Sequence, residues 1–201
     1  MLIGEKPASP SWLRFIIEDP RGSGHQQMAV PLYDDDGPAW IELGRETGVD
    51  LALVRLIDAP RFALPLTQSF ARTAQSVPCS GEDVVMVGHP FPLGEHASSP
   101  IWKSGLIASE PDPAGARPWF LIDAPGTPGM SGSPVYRRVA TPATDVGRGH
   151  SPYLELLGVY AGAVGDKALD ALRLGRAFPI GLVEDLLRRG VRGYNPFPPE
   201  S

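Results

Sequence analysis

Cysteine is nearly absent. Cys79 stands alone among 201 residues, so no disulfide can close within the chain and a disulfide-stapled secreted scaffold is excluded. As a lone thiol between Pro78 and Ser80 it reads as structural or incidental. Positive charge is also short, with 18 Lys and Arg against 23 Asp and Glu and a formal net charge of −5. Such a balance offers no basic stripe to neutralise phosphates, which argues against nucleic acid or an anionic membrane as partner and leaves protein or peptide. Long apolar runs are missing too. No window approaches the about 18 uncharged apolar residues of a membrane span, and MLIGEKPASP lacks the charged-then-apolar pattern of an export signal. A soluble, cytoplasmic protein with no cofactor and no metal is the expectation, and nothing here speaks to its oligomeric state.

Glycine and proline are plentiful instead, 23 of each. Both break helix interiors and both punctuate turns, so the composition leans to short strands in an all-β fold. The length suits one domain with one sizeable core or two small ones.

Along the chain, Trp12 to Glu18 is an aromatic and β-branched run that ends at Asp19-Pro20 and the turn RGSG, and Met28 to Tyr33 reads as the returning strand. Asp34 to Gly48 is a loop or hairpin leading into Val49 to Leu56, which reads as a buried strand. Residues 57 to 80 carry Pro60, Pro65 and Pro78 and read as an irregular crossover. Short strands follow at Asp83 to Gly88, Ile101 to Ala108, Trp119 to Ala124, Ser133 to Arg137 and Tyr153 to Ala161. Phe178 to Arg189 then sets Ile180, Val183, Leu186 and Leu187 at helical spacing, with Arg188 and Arg189 suited to a helix C-terminus. The tail NPFPPES follows.

One segment stands out chemically. Directly after the apolar run WFLIDA comes GTPGMSGSP, Gly126 to Pro134, in which glycines flank a serine on both sides. Acyl transfer needs a hydroxyl at a tight bend, with backbone N–H groups aimed at the oxygen that turns negative. Gly129 and Gly132 allow such a bend, and Ser131 is the candidate nucleophile. The plain alternative is a Gly/Ser/Pro loop that only turns the chain. An α/β-hydrolase elbow needs Gly-x-Ser-x-Gly entering a helix, but Ser133 breaks that motif and Pro134-Val135-Tyr136 leads into a strand.

GMSGSP, Gly129 to Pro134, resembles the nucleophile motif Gly-x-Ser-Gly-Gly/Ser-Pro of the chymotrypsin-like (trypsin-like) serine peptidases. Val49-Asp50-Leu51-Ala52-Leu53 is similar to the family's Asp-Ile/Leu-Ala-Leu segment, although by itself Asp50 could simply cap a turn. The order Asp then Ser also agrees with the family. Weaker likenesses are Val87-Gly88-His89-Pro90 to its Gly-aromatic-Pro turn and Lys103 to Ile107 to its Gly-x-Val/Ile strand. Leu157 to Gly162 resembles the strand that pairs with substrate.

The resemblance implies an all-β fold of two six-stranded antiparallel barrels with a C-terminal helix. It divides a single domain over 1–201 into a partial first barrel (1–58), a crossover (59–80), a second barrel (81–176), a helix (177–190) and a tail (191–201). It implies a serine endopeptidase with Ser131 as nucleophile, Asp50 as the carboxylate that orients the histidine, and Gly129 and Ser131 amides as the oxyanion hole. Val159, Tyr160, Ala161, Gly162, Pro125 and Gly126 are then the substrate-binding residues. Pro125 and Gly126 bring no charge to the pocket floor, and Tyr160 stands where glutamyl-specific relatives carry histidine, so neither acidic nor basic preference is supported, although Asp123 lies close by.

Three departures follow. The family's histidine precedes its aspartate in an Ala/Thr-x-x-His context, which this sequence lacks; His25 lies in RGSGHQQM, and His89, His96 and His150 all follow Asp50. Only three strands precede the crossover, so about half of the first barrel is missing, and a half-barrel leaves an open edge and a wet apolar face. The expectation is a chain whose natural start lies before Met1, without the triad histidine and inactive as given. The alternative is a pseudopeptidase or peptide-binding module. Finally, Met130 replaces the aspartate that zymogen-activated relatives pair with a freed N-terminus, so activation by that route is not expected.

Overall fold

The computed structural model describes residues 10–18, 25–56, 71–73, 77–90, 100–112, 117–124, 126–139, 153–164 and 172–196. They fall into two compact units, Met1–Leu64 with Leu186–Ser201, and Pro65–Asp185.

In the first unit, β1 (Trp12–Glu18) and β2 (His25–Pro31) form an antiparallel hairpin in unbroken register from Trp12 opposite Pro31 to Glu18 opposite His25. The returning strand thus begins at His25, earlier than its apolar residues indicate. A small hairpin follows, β3 (Tyr33–Asp34) with β4 (Gly37–Pro38), then β5 (Trp40–Glu42) and β6 (Ala52–Val54). β14 (Val191–Arg192) comes back from the end of the chain to pair with β5. Arg192 is held by Asp34 Oδ1 at 2.7 Å and the Pro38 carbonyl at 2.9 Å, while Gly193 N–H donates to the Trp40 carbonyl. Among the described residues these strands pair as three separate small sheets, not as a closed barrel.

Val49 to Leu56 is not the buried strand its composition suggests. Only Ala52–Val54 is extended into the ladder, and its residues are exposed or half-buried. The reason is position: among the described residues β6 pairs with β5 alone and has no second neighbour to cover it.

The second unit is a closed barrel. Its strands are β8 (Asp83–Gly88), β9 (Ile101–Ser109), β10 (Phe120–Asp123), β11 (Pro134–Val139), β12 (Tyr153–Ala163) and β13 (Gly175–Pro179). They run in the order β11-β8-β9-β10-β13-β12, and β12 pairs back onto β11, so six antiparallel strands close on themselves. β7 (Ala71–Thr73) adds in parallel to β12. Closure removes the edges that an open sheet would present to other chains.

Alternation explains the filling. Val84, Met86, Ile107, Phe120, Ile122, Val135, Leu157 and Tyr160 form one buried cluster. On the other side of β8, Val85 packs with Tyr136 and Leu156, against Val87, Leu154 and Ile180. β8 is therefore covered on both faces, which is why DVVMVG reads as a continuous apolar run rather than an alternating one. Arg137 sits between Glu82 at 2.8 Å and Glu155 at 2.5 Å.

Helix α1 (Ile180–Arg189) begins two residues later than its apolar spacing implies, because Phe178 and Pro179 complete β13. Leu186 is its buried residue, whereas Leu187 is 69% exposed and contributes nothing to packing. Among the described residues no helix is long and apolar enough to cross a membrane.

Phe120→Ala should destabilise the protein by about 3–5 kcal/mol through lost burial and a cavity, and Leu187→Ala by less than about 0.5 kcal/mol. Equilibrium denaturation in urea measures both.

Candidate active site

Between β10 and β11 the chain makes two successive tight turns. Met130 N–H donates to the Thr127 carbonyl at 3.1 Å and Ser133 N–H to the Met130 carbonyl at 3.0 Å. Each turn has a glycine at its third position in the left-handed region, Gly129 at φ 91° and Gly132 at φ 87°, where a side chain is disfavoured. Pro128 fixes the second position of the first turn, and Ser131 takes that place in the second. Met130 is fully buried in the barrel cluster while Ser131 is exposed. One apolar side chain thus anchors the loop and turns its neighbour's hydroxyl outward.

Two hydrogen bonds fasten this loop to β12. Gly132 N–H donates to the Tyr160 carbonyl and Tyr160 N–H to the Ser133 carbonyl, both at 2.8 Å. After them β12 slips register against β13, from Tyr160 opposite Ala177 to Gly162 opposite Arg176, so Ala161 bulges out. Gly162 has φ 101°, and a Cβ placed on it would stand 3.5 Å from Ser131 Oγ. Among the described turn and loop bonds, neither Gly129 N–H nor Ser131 N–H donates to a backbone carbonyl. Both amides thus stand beside an exposed hydroxyl without a backbone acceptor among those bonds.

The Tyr160 side chain runs the other way, inward, and is only 1% exposed. A Cβ on Gly126 would fall 1.8 Å from its hydroxyl and one on Gly175 2.5 Å from its ring. Among the described residues the hydroxyl has no hydrogen-bond partner. Burial raises its pKa, against smaller pulls from the Gly126 backbone and the Arg176 charge; Gly126 acts as a nearby dipole and falls short of a formed bond. Tyr136 is likewise raised by burial.

Of the remaining candidates, Val159 and Ala161 are half-buried on β12, with Val159 opposite Pro134. Pro125 lies outside the described residues. Asp50 belongs to the first unit, where it is exposed and lines a concavity of about 260 Å³ with Glu42, Leu43, Val49 and Ala52. His89 is exposed just after β8, His25 starts β2, and His96 and His150 lie outside the described residues. Cys79 is exposed.

Sequence reasoning missed Gly175, Gly88 and Ser133. Ser133 is buried, and its Oγ fills the place of a Cβ on Gly88 at 2.0 Å. The alternation of Gly175, Ala177 and Pro179 with Arg176 and Phe178 is the only local sign of β13.

A family model of the trypsin-like peptidase domain matches residues 14–139, well over half of the chain. The chain belongs to the trypsin-like peptidase domain family. The matched stretch contains both Asp50 and the GMSGSP loop and ends before β12. No curated protein matches the chain. Membership accounts for the closed six-stranded barrel and for a peptidase, acting on protein or peptide, as the general activity.

Gly132→Ala should destabilise this trypsin-like domain by about 1–2 kcal/mol from backbone strain alone, because a Cβ there meets nothing within 4 Å. Thermal melts read the change. Tyr136 and Tyr160 have native pKa values raised above the ordinary 10.0. Their contribution to stability is therefore complete below pH 10 and is lost as pH rises through the native values. In an alkaline titration, two of the five tyrosines should ionise only together with unfolding.

Proposed function

We propose that this protein is a serine endopeptidase that cleaves peptide bonds through an acyl-enzyme on Ser131. The observation that carries the reading is the exposed Ser131 hydroxyl on its glycine-flanked turn, 3.5 Å from the Cβ position of Gly162 and beside two amides without backbone partners. Ser131 Oγ attacks the scissile carbonyl, and its proton passes to an imidazole. The carbonyl oxygen, now negative, is held by Gly129 and Ser131 N–H, donors fixed by the turns before any charge develops. Substrate lies beside Val159 to Gly162 and pairs with the end of β12 beyond Tyr160, whose own N–H and C=O are taken by the nucleophile loop, with Pro125 and Gly126 at the pocket floor. Asp50 orients the imidazole.

None of the four histidines is assigned as that imidazole. His89 follows β8 in an exposed position and His25 stands opposite Glu18 in the first hairpin. The exposure of Asp50 supports a second reading, peptide binding without turnover, since an orienting carboxylate works when its imidazole covers it.

With no histidine assigned as the base, no measurable turnover of peptides or esters is expected. Added free imidazole should raise ester hydrolysis about tenfold or more, short of the roughly 10²–10⁴-fold of a positioned base, and Ser131→Ala should remove that gain. Fast fluorophosphonate labelling of Ser131 that is lost in His25→Ala would make His25 the base and overturn the reading that none of the four histidines serves. Peptide binding with no imidazole-dependent hydrolysis would favour the second reading.

A further inference from the structure

We infer that the Tyr160 ring is a permanent stopper in the primary specificity pocket, so the site takes peptides whose residue before the scissile bond has a small side chain, Gly, Ala or Ser. The inference rests on the reading of β12 as the substrate strand and adds the class of substrate to it.

The pocket's mouth and depth differ. At the mouth, a Cβ on Gly162 would meet only Ser131 Oγ within 4 Å among the described residues, so the space beside the nucleophile is open. In depth, the space between the start of the nucleophile loop and β13 is occupied. The Tyr160 hydroxyl reaches Gly126, its ring lies against Gly175, and any side chain at either glycine would collide with it, at 1.8 and 2.5 Å. Two glycines on separate segments thus make room for one ring, which belongs to the buried barrel cluster with Met130, Leu157 and Ala177.

The ring is not free to swing aside. Its backbone is fixed by hydrogen bonds at both N–H and C=O to the nucleophile loop, and withdrawing the side chain would open a cavity in the core, which close packing resists. A long side chain entering past Gly162 toward Gly126 and Gly175 would compete with the ring for the same space. It is the bulk of the ring, filling the places of both glycines' Cβ atoms, that sets the limit.

The test needs no catalysis. Short peptides ending in a free carboxylate, identical except for a final Ala, Leu or Phe, are titrated by NMR against the whole chain. The Ala-ended peptide should bind at least tenfold more tightly than the Phe-ended one. Tyr160→Phe should keep that ratio and melt no lower than the wild type, since it removes only an unpaired hydroxyl. Tyr160→Val should reduce or reverse the ratio; should it fail to fold, the wild-type ratio and Tyr160→Phe still decide. Equal binding of Ala- and Phe-ended peptides by the wild type overturns the inference and leaves the substrate strand intact. An unchanged ratio in folded Tyr160→Val does the same. If no peptide binds, the reading of β12 falls and the inference with it.

Discussion

The paired hydrogen bonds between Tyr160 and the nucleophile loop, Gly132 N–H to its carbonyl and its N–H to Ser133, are the constraint on which the second unit depends. They continue the β11–β12 ladder that closes the barrel and at the same time hold the turn that presents Ser131. Closure and presentation are therefore one interaction. A loop of glycine and serine has large conformational freedom, and ordering it opposes folding. Two backbone bonds, two internal turn bonds and the buried Met130 side chain are what oppose that freedom here.

Tyr160 joins the core to the site by a second route. Its backbone is part of the candidate substrate strand, whereas its side chain is part of the barrel interior, tolerated only because Gly126 and Gly175 have no Cβ. The bulge at Ala161 follows immediately and lets Gly162 face the serine. Packing demands inside the barrel and access outside it thus meet at adjacent positions on one strand. An unpartnered buried hydroxyl opposes folding by about 1–3 kcal/mol, and among the described residues that of Tyr160 has no partner.

Much of this was legible in residue order. β1 and β8 occupy the residues their apolar runs mark, and GMSGSP contains the two glycines whose positive φ the turns require. Other features were not. Val49 to Leu56 is an apolar run yet exposed or half-buried, because burial follows from how many neighbours a strand acquires, and among the described residues β6 has one. Leu187 is at helical spacing yet in water, since periodicity marks a stripe without saying how wide the partner surface is. β14 is two residues long and its pairing with β5 spans most of the chain, so no local pattern announces it.

Taken alone, the sequence determined the all-β character, the family and the identity of the candidate nucleophile, because turn chemistry and strand periodicity act over a few residues and are written where they act. Only the tertiary structure decided that six strands close into a barrel, that Gly162 stands over Ser131, and that Tyr160 fills the space between Gly126 and Gly175. Those relations join segments up to about sixty residues apart, and they arise from close packing and backbone pairing, which depend on what lies opposite a residue and not on what precedes it.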